Sequence, residues 1–229
     1  MQDGMRKKVL VFGVGDFARV ARFYLQHDSP FEVAAFTVHE RFLAVDDRSP
    51  RLMDLPVIAW ERARETHPPS EYDMFVAVGY SKVNRNREAI FAEGEEAGYA
   101  MITYVCSKAT TWPGLTVGRG SFVFENNVIQ PFVTIGANTV LWSGNHIGHD
   151  STIGDHVFIT SHVVVSGNCT VGDNTFIGVN ATLRDGITIG RDCVIGAGTV
   201  MLRDAPAGSV FKATSTPAAD LTSAELRRI

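Results

Sequence analysis

The stretch Ile147-Gly-His-Asp-Ser-Thr-Ile153-Gly-Asp-His-Val-Phe-Ile159 decides how the rest of the chain is read. Its aliphatic residues recur every six positions, and the period runs in both directions, from Val117 to Met201, without an insertion. That makes 15 successive hexads. With roughly 30% of positions Val, Ile, Leu or Met, 15 hits in register arise by chance about once in 10⁷–10⁸ trials. Gly follows the aliphatic residue in eight of the 15, as at Gly148, Gly154 and Gly196. A fixed short period predicts a parallel β-helix, in which each unit buries its apolar side only by stacking on its neighbours.

The chain of 229 residues has room for this solenoid and a second small domain. With 45% hydrophobic and 20% charged residues the composition is that of a soluble globular protein. A net charge of −4 gives no basis for a nucleic-acid partner. No apolar run is long enough to span a membrane. The basic start Met5-Arg-Lys-Lys8 precedes too short an apolar run for a signal peptide and reads as the polar entry to a first strand. Three cysteines make no disulfide framework, so a cytoplasmic protein with reduced thiols is expected. Cys169 and Cys193 each lie four residues after a hexad aliphatic, the place held elsewhere by Ser121, Thr139, Ser151, Thr175, Ala181 and Thr199. They read as small interior residues rather than nucleophiles.

Before the repeat, Lys8–Phe12 is an apolar run ending in Gly13-Val-Gly-Asp-Phe-Ala18, with the helix-like Arg19–Leu25 behind it. Strand, glycine turn and helix together give the G-x-G-x-x-A pattern a mechanism. Glycines let the backbone approach a phosphate, and the helix start supplies free N–H groups. Further strands are expected at Phe31–Val38, Pro56–Ile58, Asp73–Gly79 and Met101–Cys106, with helical turns at Trp60–Thr66 and a helix over Val83–Ala97. The alternation predicts a small doubly wound parallel sheet, Rossmann-like, over residues 1–106. Its ligand rim would hold Gly13, Gly15, Gly79 and Tyr80, with Arg85 and Arg87 close behind. The solenoid would occupy 107–208 and a capping tail 209–229. In that tail Thr222 and Glu225 have capping-box spacing, which predicts a short terminal helix able to cover the open end of the solenoid.

This order of elements resembles the hexapeptide-repeat sugar acyltransferases of the sialic-acid O-acetyltransferase and bacillosamine N-acetyltransferase type. The resemblance rests on the hexads, on the glycine turn and on His149-Asp150-Ser-Thr-Ile153-Gly154, a His-acid pair followed by x-x-Ile-Gly. It implies a left-handed β-helix with three hexads per coil. Five coils would then stand about 24 Å tall. It further implies a homotrimer with active sites between adjacent solenoids, acetyl-CoA as acyl donor, and a nucleotide-linked amino sugar held by the N-terminal domain. Carried onto this chain, it makes His149 the catalytic base with Asp150 beside it. Gly167 falls beside the acyl group, and Lys212 near the CoA phosphates. Gly13, Gly15, Arg19 and Gly79 face the nucleotide sugar, with Asn145 and His146 as further substrate contacts. Where relatives read G-x-x-G-H-A-K, this chain has Phe17 in place of the His and Arg19 in place of the Lys. Trp142 stands where relatives often have Asn, and Phe158 where a second His is common. The paired acidic residues that often follow the second strand are absent from Phe36-Thr-Val-His-Glu40.

The chemistry asks for few groups. Acyl transfer to an amine needs a base, donors for the oxyanion and an exit for the thiolate. Histidine suits the base role because its ordinary pKa lies near 6.5. No cysteine is placed for a covalent intermediate, so direct attack is expected. Asp150 as the group orienting His149 stays open at this point, because neighbours on a strand point to opposite faces. The bland reading of His149 is a solvated corner residue. Transfer to a sugar hydroxyl or of a longer acyl chain are close variants. Two other classes are weighed. A zinc β-helix enzyme needs three converging histidines, and the spacings His146/His149 and His156/His162 do not match that family; no metal is expected. An NAD-binding regulatory protein would use Gly13-x-Gly-x-x-Ala18, but Glu40 lies 25 residues after Gly15, too far for the usual acidic partner.

Overall fold

The computed structural model describes residues 7–43 and 50–225. Its N-terminal part runs β1 (Lys7–Phe12), α1 (Asp16–Asp28), β2 (Phe31–Val38), β3 (Arg51–Leu52), β4 (Leu55–Ala59), α2 (Ala63–Thr66), β5 (Asp73–Val76) and α3 (Arg85–Glu96). The sheet order is β3-β4-β2-β1-β5, parallel except for the β3–β4 hairpin. Side chains on β1 alternate across the sheet, as a strand requires. Val9 and Val11 pack with Ala18, Ala21 and Leu25 of α1, while Leu10 and Phe12 pack with Ile90 and Phe91 of α3. Helices therefore cover both faces, as the alternation of elements predicts.

Two expectations here need correcting. Met101–Cys106 is not one strand of this sheet: Met101 makes a single bridge to Met74, and Tyr104–Val105 (β6) pairs with Phe122–Val123 of the solenoid. The helix expected from Val83 begins at Arg85, because Lys82, Val83 and Asn84 all take left-handed backbone (φ 52°, 51° and 64°).

The solenoid is built of two-residue strands on three faces, each strand pairing with those 18 residues away. The first face carries Thr116–Val117 to Thr188–Ile189, the second Tyr104–Val105 to Val210–Phe211, and the third Val128–Ile129 to Val200–Met201. In nearly every strand the second residue is the hexad aliphatic, and those from Val123 to Met201 form one buried column of packing. The position four residues later also points inward. There Ser121, Thr139, Ser151 and Thr175 donate from their hydroxyls to carbonyls of the next coil (2.7–3.1 Å), and the Cys169 and Cys193 thiols do the same at 3.1 and 3.3 Å. Both cysteines are buried and free, as is Cys106.

The residue three past each aliphatic turns the corner in left-handed backbone, φ 51–80°, at 14 successive corners from Gly120 to Gly198. Thirteen of these are Gly, Asn, Asp or His, the residues that tolerate this region. The fourteenth is Phe132.

The N-terminal domain lies on the second face. Phe17, Tyr24 and Phe75 pack against Phe122, Phe124, Val140 and Phe158. At the corner between the first and second faces, Arg87 of α3 is fully buried. It donates to the carbonyls of Asn138 (3.2 Å), His156 (2.7 Å) and Val157 (3.2 Å) and to Asn84 Oδ1 (2.9 Å). Asn84 in turn donates to the Asn174 carbonyl at 2.7 Å. On the far side of the junction, Asp28 at the end of α1 accepts bonds from Tyr104 and Ser107, which hold its carboxyl well below the usual carboxylate range.

The tail departs from expectation. Residues 212–225 are exposed throughout, so they do not cover the open end of the solenoid. The capping box forms, with Thr222 N–H and Oγ1 donating to Glu225 Oε2 at 2.6 and 2.8 Å, but it encloses a three-residue 3₁₀ turn, Ser223–Glu225. The rest of the expected helix, 226–229, lies outside the described residues. Among those residues no helix is long and apolar enough to cross a membrane.

Candidate active site

His149 and Asp150 form the second tier of the corner between the third and first faces. Residues 131, 149, 167 and 185 stack there in one column and 132, 150, 168 and 186 in the next. Because Asp150 sits in the left-handed region (φ 57°) rather than on a strand, its side chain swings to the same side as that of its neighbour. His149 Nδ1 lies 2.9 Å from Asp150 Oδ2. An ionised carboxylate only accepts, so Nδ1 carries the proton and Nε2 of the neutral ring is left with its lone pair free. Both side chains are about half exposed.

The coils above and below hold the pair. From below, Gln130 Oε1 accepts the His149 N–H (2.8 Å) and the Pro131 carbonyl accepts the Asp150 N–H (3.3 Å). From above, Asn168 N–H donates to the His149 carbonyl (2.8 Å). The ring itself leans on Gly167. A Cβ there would lie 2.7 Å from His149 Nε2 and 3.1 Å from Asp185 Oδ1, so this corner has room for the imidazole because it has no side chain. Gln130 and Asp185 were not foreseen. Gln130 lies one 18-residue coil before Gly148 and Asp185 two coils after His149, so both follow from the period.

The other expected site residues divide. His146 points outward on the third face, on the strand that leads into this corner. Asn145 does not reach a substrate surface. It is buried, its Nδ2 donates to the Trp142 carbonyl (2.5 Å) and its Oδ1 accepts the Val163 N–H (2.7 Å), so its amide belongs to the solenoid frame. Its register position is that of Cys169 and Cys193, and the rule that put the cysteines inside applies equally to it. Lys212 is exposed beyond the last strand.

At the N-terminal rim, Gly13 adopts φ 129° with its N–H bonded to the Thr37 carbonyl, and a Cβ there would meet the Ala77 carbonyl at 2.5 Å. Gly15, at the N-cap of α1, and Gly79 face open space. Arg19 is exposed and reaches Asp16 at 3.4 Å. Arg85 and Arg87 leave the rim: Arg85 pairs with Glu88 (2.7 Å) and Asp192 (2.5 Å), and Arg87 is buried in the junction. Phe17, Trp142 and Phe158, the three aromatic departures from the family pattern, meet in one cluster between the domains. Their centroids are separated by 5.8, 6.3 and 6.5 Å.

Topology keeps the glycine rim and the His149 corner apart within one chain. The rim rests on the second face, and the His149 corner joins the other two faces, on the opposite side of the prism. Among the described residues no three His, Cys, Asp or Glu side chains converge as a metal site.

A repeat-built prism with a His-Asp pair at one corner has the architecture of the hexapeptide-repeat acyltransferases with a left-handed β-helix. The bacterial transferase hexapeptide (six repeats) model matches residues 133–167 and 168–203. Within that class the chain resembles sugar acyltransferases. It is 25% identical to the acetyltransferase domain of PglB from Neisseria gonorrhoeae, covering 90% of this chain and 97% of that one with a TM-score of 0.76. It is also 25% identical to PerB from Caulobacter crescentus, solved with CoA and GDP-perosamine, covering 90% and 94% with a TM-score of 0.78. WeeI from Acinetobacter baumannii shares the fold at 19% identity, a TM-score of 0.59, and coverage of 88% and 94%. No curated protein sequence gives a significant match.

Proposed function

We propose that this protein transfers an acetyl group from acetyl-CoA to the amino group of a nucleotide-linked amino sugar. The observation that carries this reading is the His149 ring, bonded through Nδ1 to Asp150 and presenting Nε2 over the bare backbone of Gly167. The acceptor amine attacks the thioester carbon as His149 Nε2 removes its proton. The tetrahedral intermediate then collapses, breaking the C–S bond, and the imidazolium, stabilised in between by Asp150, passes its proton to the departing CoA thiolate. The structures of PglB and PerB lend the substrate class, since PerB was solved with CoA and GDP-perosamine.

The acceptor's nucleotide belongs at the glycine turn, with its phosphates at the α1 N-terminus near Gly15, Arg19 and Gly79. Phe17 there offers no charge, so backbone N–H groups and Arg19 carry that contact. Because the rim and His149 lie on opposite sides of one prism, the site is completed by a neighbouring subunit of a homotrimer. The third face supports this, since Val128, Val164 and Val200 stand exposed on it beside the His149 corner, alternating with His146 and Thr182. Lys212 and Gly167 fall to the acetyl-CoA side, and His146 to the acceptor side.

The test is CoA thiol release from acetyl-CoA against a panel of UDP-, GDP- and dTDP-linked 3- and 4-amino sugars, with the corresponding hydroxylated sugars alongside. Release with an amino sugar is expected. Release with hydroxylated sugars alone would replace N- by O-acetylation.

A further inference from the structure

Directly beneath the His149–Asp150 pair the chain turns through Gln130-Pro131-Phe132. Gln130 and Pro131 hold the pair by their bonds to the His149 and Asp150 N–H groups. Phe132 makes neither bond. It occupies the left-handed corner (φ 66°) at which a bulky side chain is strained, and the residue is 80% exposed. The other 13 corners use Gly, Asn, Asp or His, and Asn or Gly here would relieve both the strain and the apolar exposure. A strained, solvent-facing aromatic one coil from the reacting pair is placed for something outside its own fold.

The two sides of His149 differ in shape. Above it, the imidazole itself lies against the side-chain-free backbone of Gly167, with Asp185 Oδ1 close by. One coil below, in the column under Asp150, Phe132 presents a broad flat ring without hydrogen-bonding groups. We infer that Phe132 is a specificity-determining residue that receives the apolar face of the acceptor, a deoxygenated amino-sugar ring, beside the His149–Asp150 pair and so orients its amine for His149. This assignment rests on the acyl-transfer reading above and deepens it. A sugar with hydroxyls on that face would strand them against the ring, which costs affinity unless they find partners.

Phe132→Asn and Phe132→Tyr test this, with wild-type thiol release measured first so that the parent reading is judged by itself. In Phe132→Asn, KM for the acceptor is expected to rise roughly tenfold or more, the loss from uncovering one aromatic contact. KM for acetyl-CoA and the oligomeric state should hold, and Tm should rise by about 2–4 °C as strain is relieved. Phe132→Tyr should keep the acceptor KM. An unchanged acceptor KM in Phe132→Asn, an equal rise for acetyl-CoA, or dissociation of the oligomer would each overturn the assignment. The last outcome would make Phe132 an assembly residue.

Discussion

The corner that carries His149 and the corner under α3 are built by the same repeat from similar residues, yet they have opposite fates. Under α3, His156 occupies a left-handed position, half-buried, its carbonyl taken by Arg87 and its ring edge-on to Phe91 at 5.7 Å. At the other corner Asp150 and Phe132 occupy the equivalent positions in the open, and His149 stands about half exposed. In the first case polar and aromatic groups are spent on holding two domains together. In the second they are held by backbone bonds from adjacent coils and left facing outward. Exposure of a well-fixed polar pair, rather than its chemistry alone, separates a site from a joint.

The largest effect that would sharpen this contrast is on catalysis. His149→Ala is expected to lower kcat by about 10²–10⁴. Its Tm should stay near that of the wild type, because the side chain is about half exposed. Near-normal turnover would remove His149 from the base role and reduce this corner to a solvated turn.

Arg87→Met is the complementary test at the joint. The substitution strands the Asn138, His156 and Val157 carbonyls and Asn84 Oδ1 in a buried setting. A loss of about 3–5 kcal/mol is expected, which corresponds to roughly 6–20 °C in Tm. Turnover well below the transition should survive. A Tm shift within error, or a collapse of kcat at unchanged Tm, would show that Arg87 is no joint.

The solenoid was legible because its period fixes each residue's direction: in at the aliphatic and four residues on, left-handed three residues on. That arithmetic places His149, Gly167 and both interior cysteines. It also contained two answers that a reading of motifs passed over. Asn145 shares the cysteines' inward position, and Phe132 is the one bulky letter among the left-handed corners. The joint was not legible. A charged helix residue such as Arg87 reads as exposed unless its carbonyl partners, 51 to 70 residues away in sequence, are known. An apolar run such as Met101–Cys106 does not say which of two sheets it will join. The pairing of His149 with Asp150 was open for a similar reason. Adjacency argues against contact on a strand and permits it at a left-handed corner.

The smallest effect concerns protonation at the joint. Burial, with the Arg87 charge acting the same way, holds the His156 pKa below its ordinary 6.5, against Glu88, Asp155 and Asp173, which favour the charged ring. Asn138 Nδ2 donates to His156 Nδ1 at 2.9 Å, a bond available only to the neutral ring. As pH falls past 6.5 the unfolded chain takes up this proton before the folded one does. Folding stability from this group is therefore full above 6.5 and declines through the window between the unfolded and folded values. His156→Asn keeps a residue that other corners of the same column already use, at Asn138 and Asn174. It should flatten the fall of Tm as the pH drops below about 6.5, while Phe132→Asn at the open corner leaves that slope alone. An identical slope in His156→Asn and wild type would place the acid sensitivity elsewhere and leave His156 as packing.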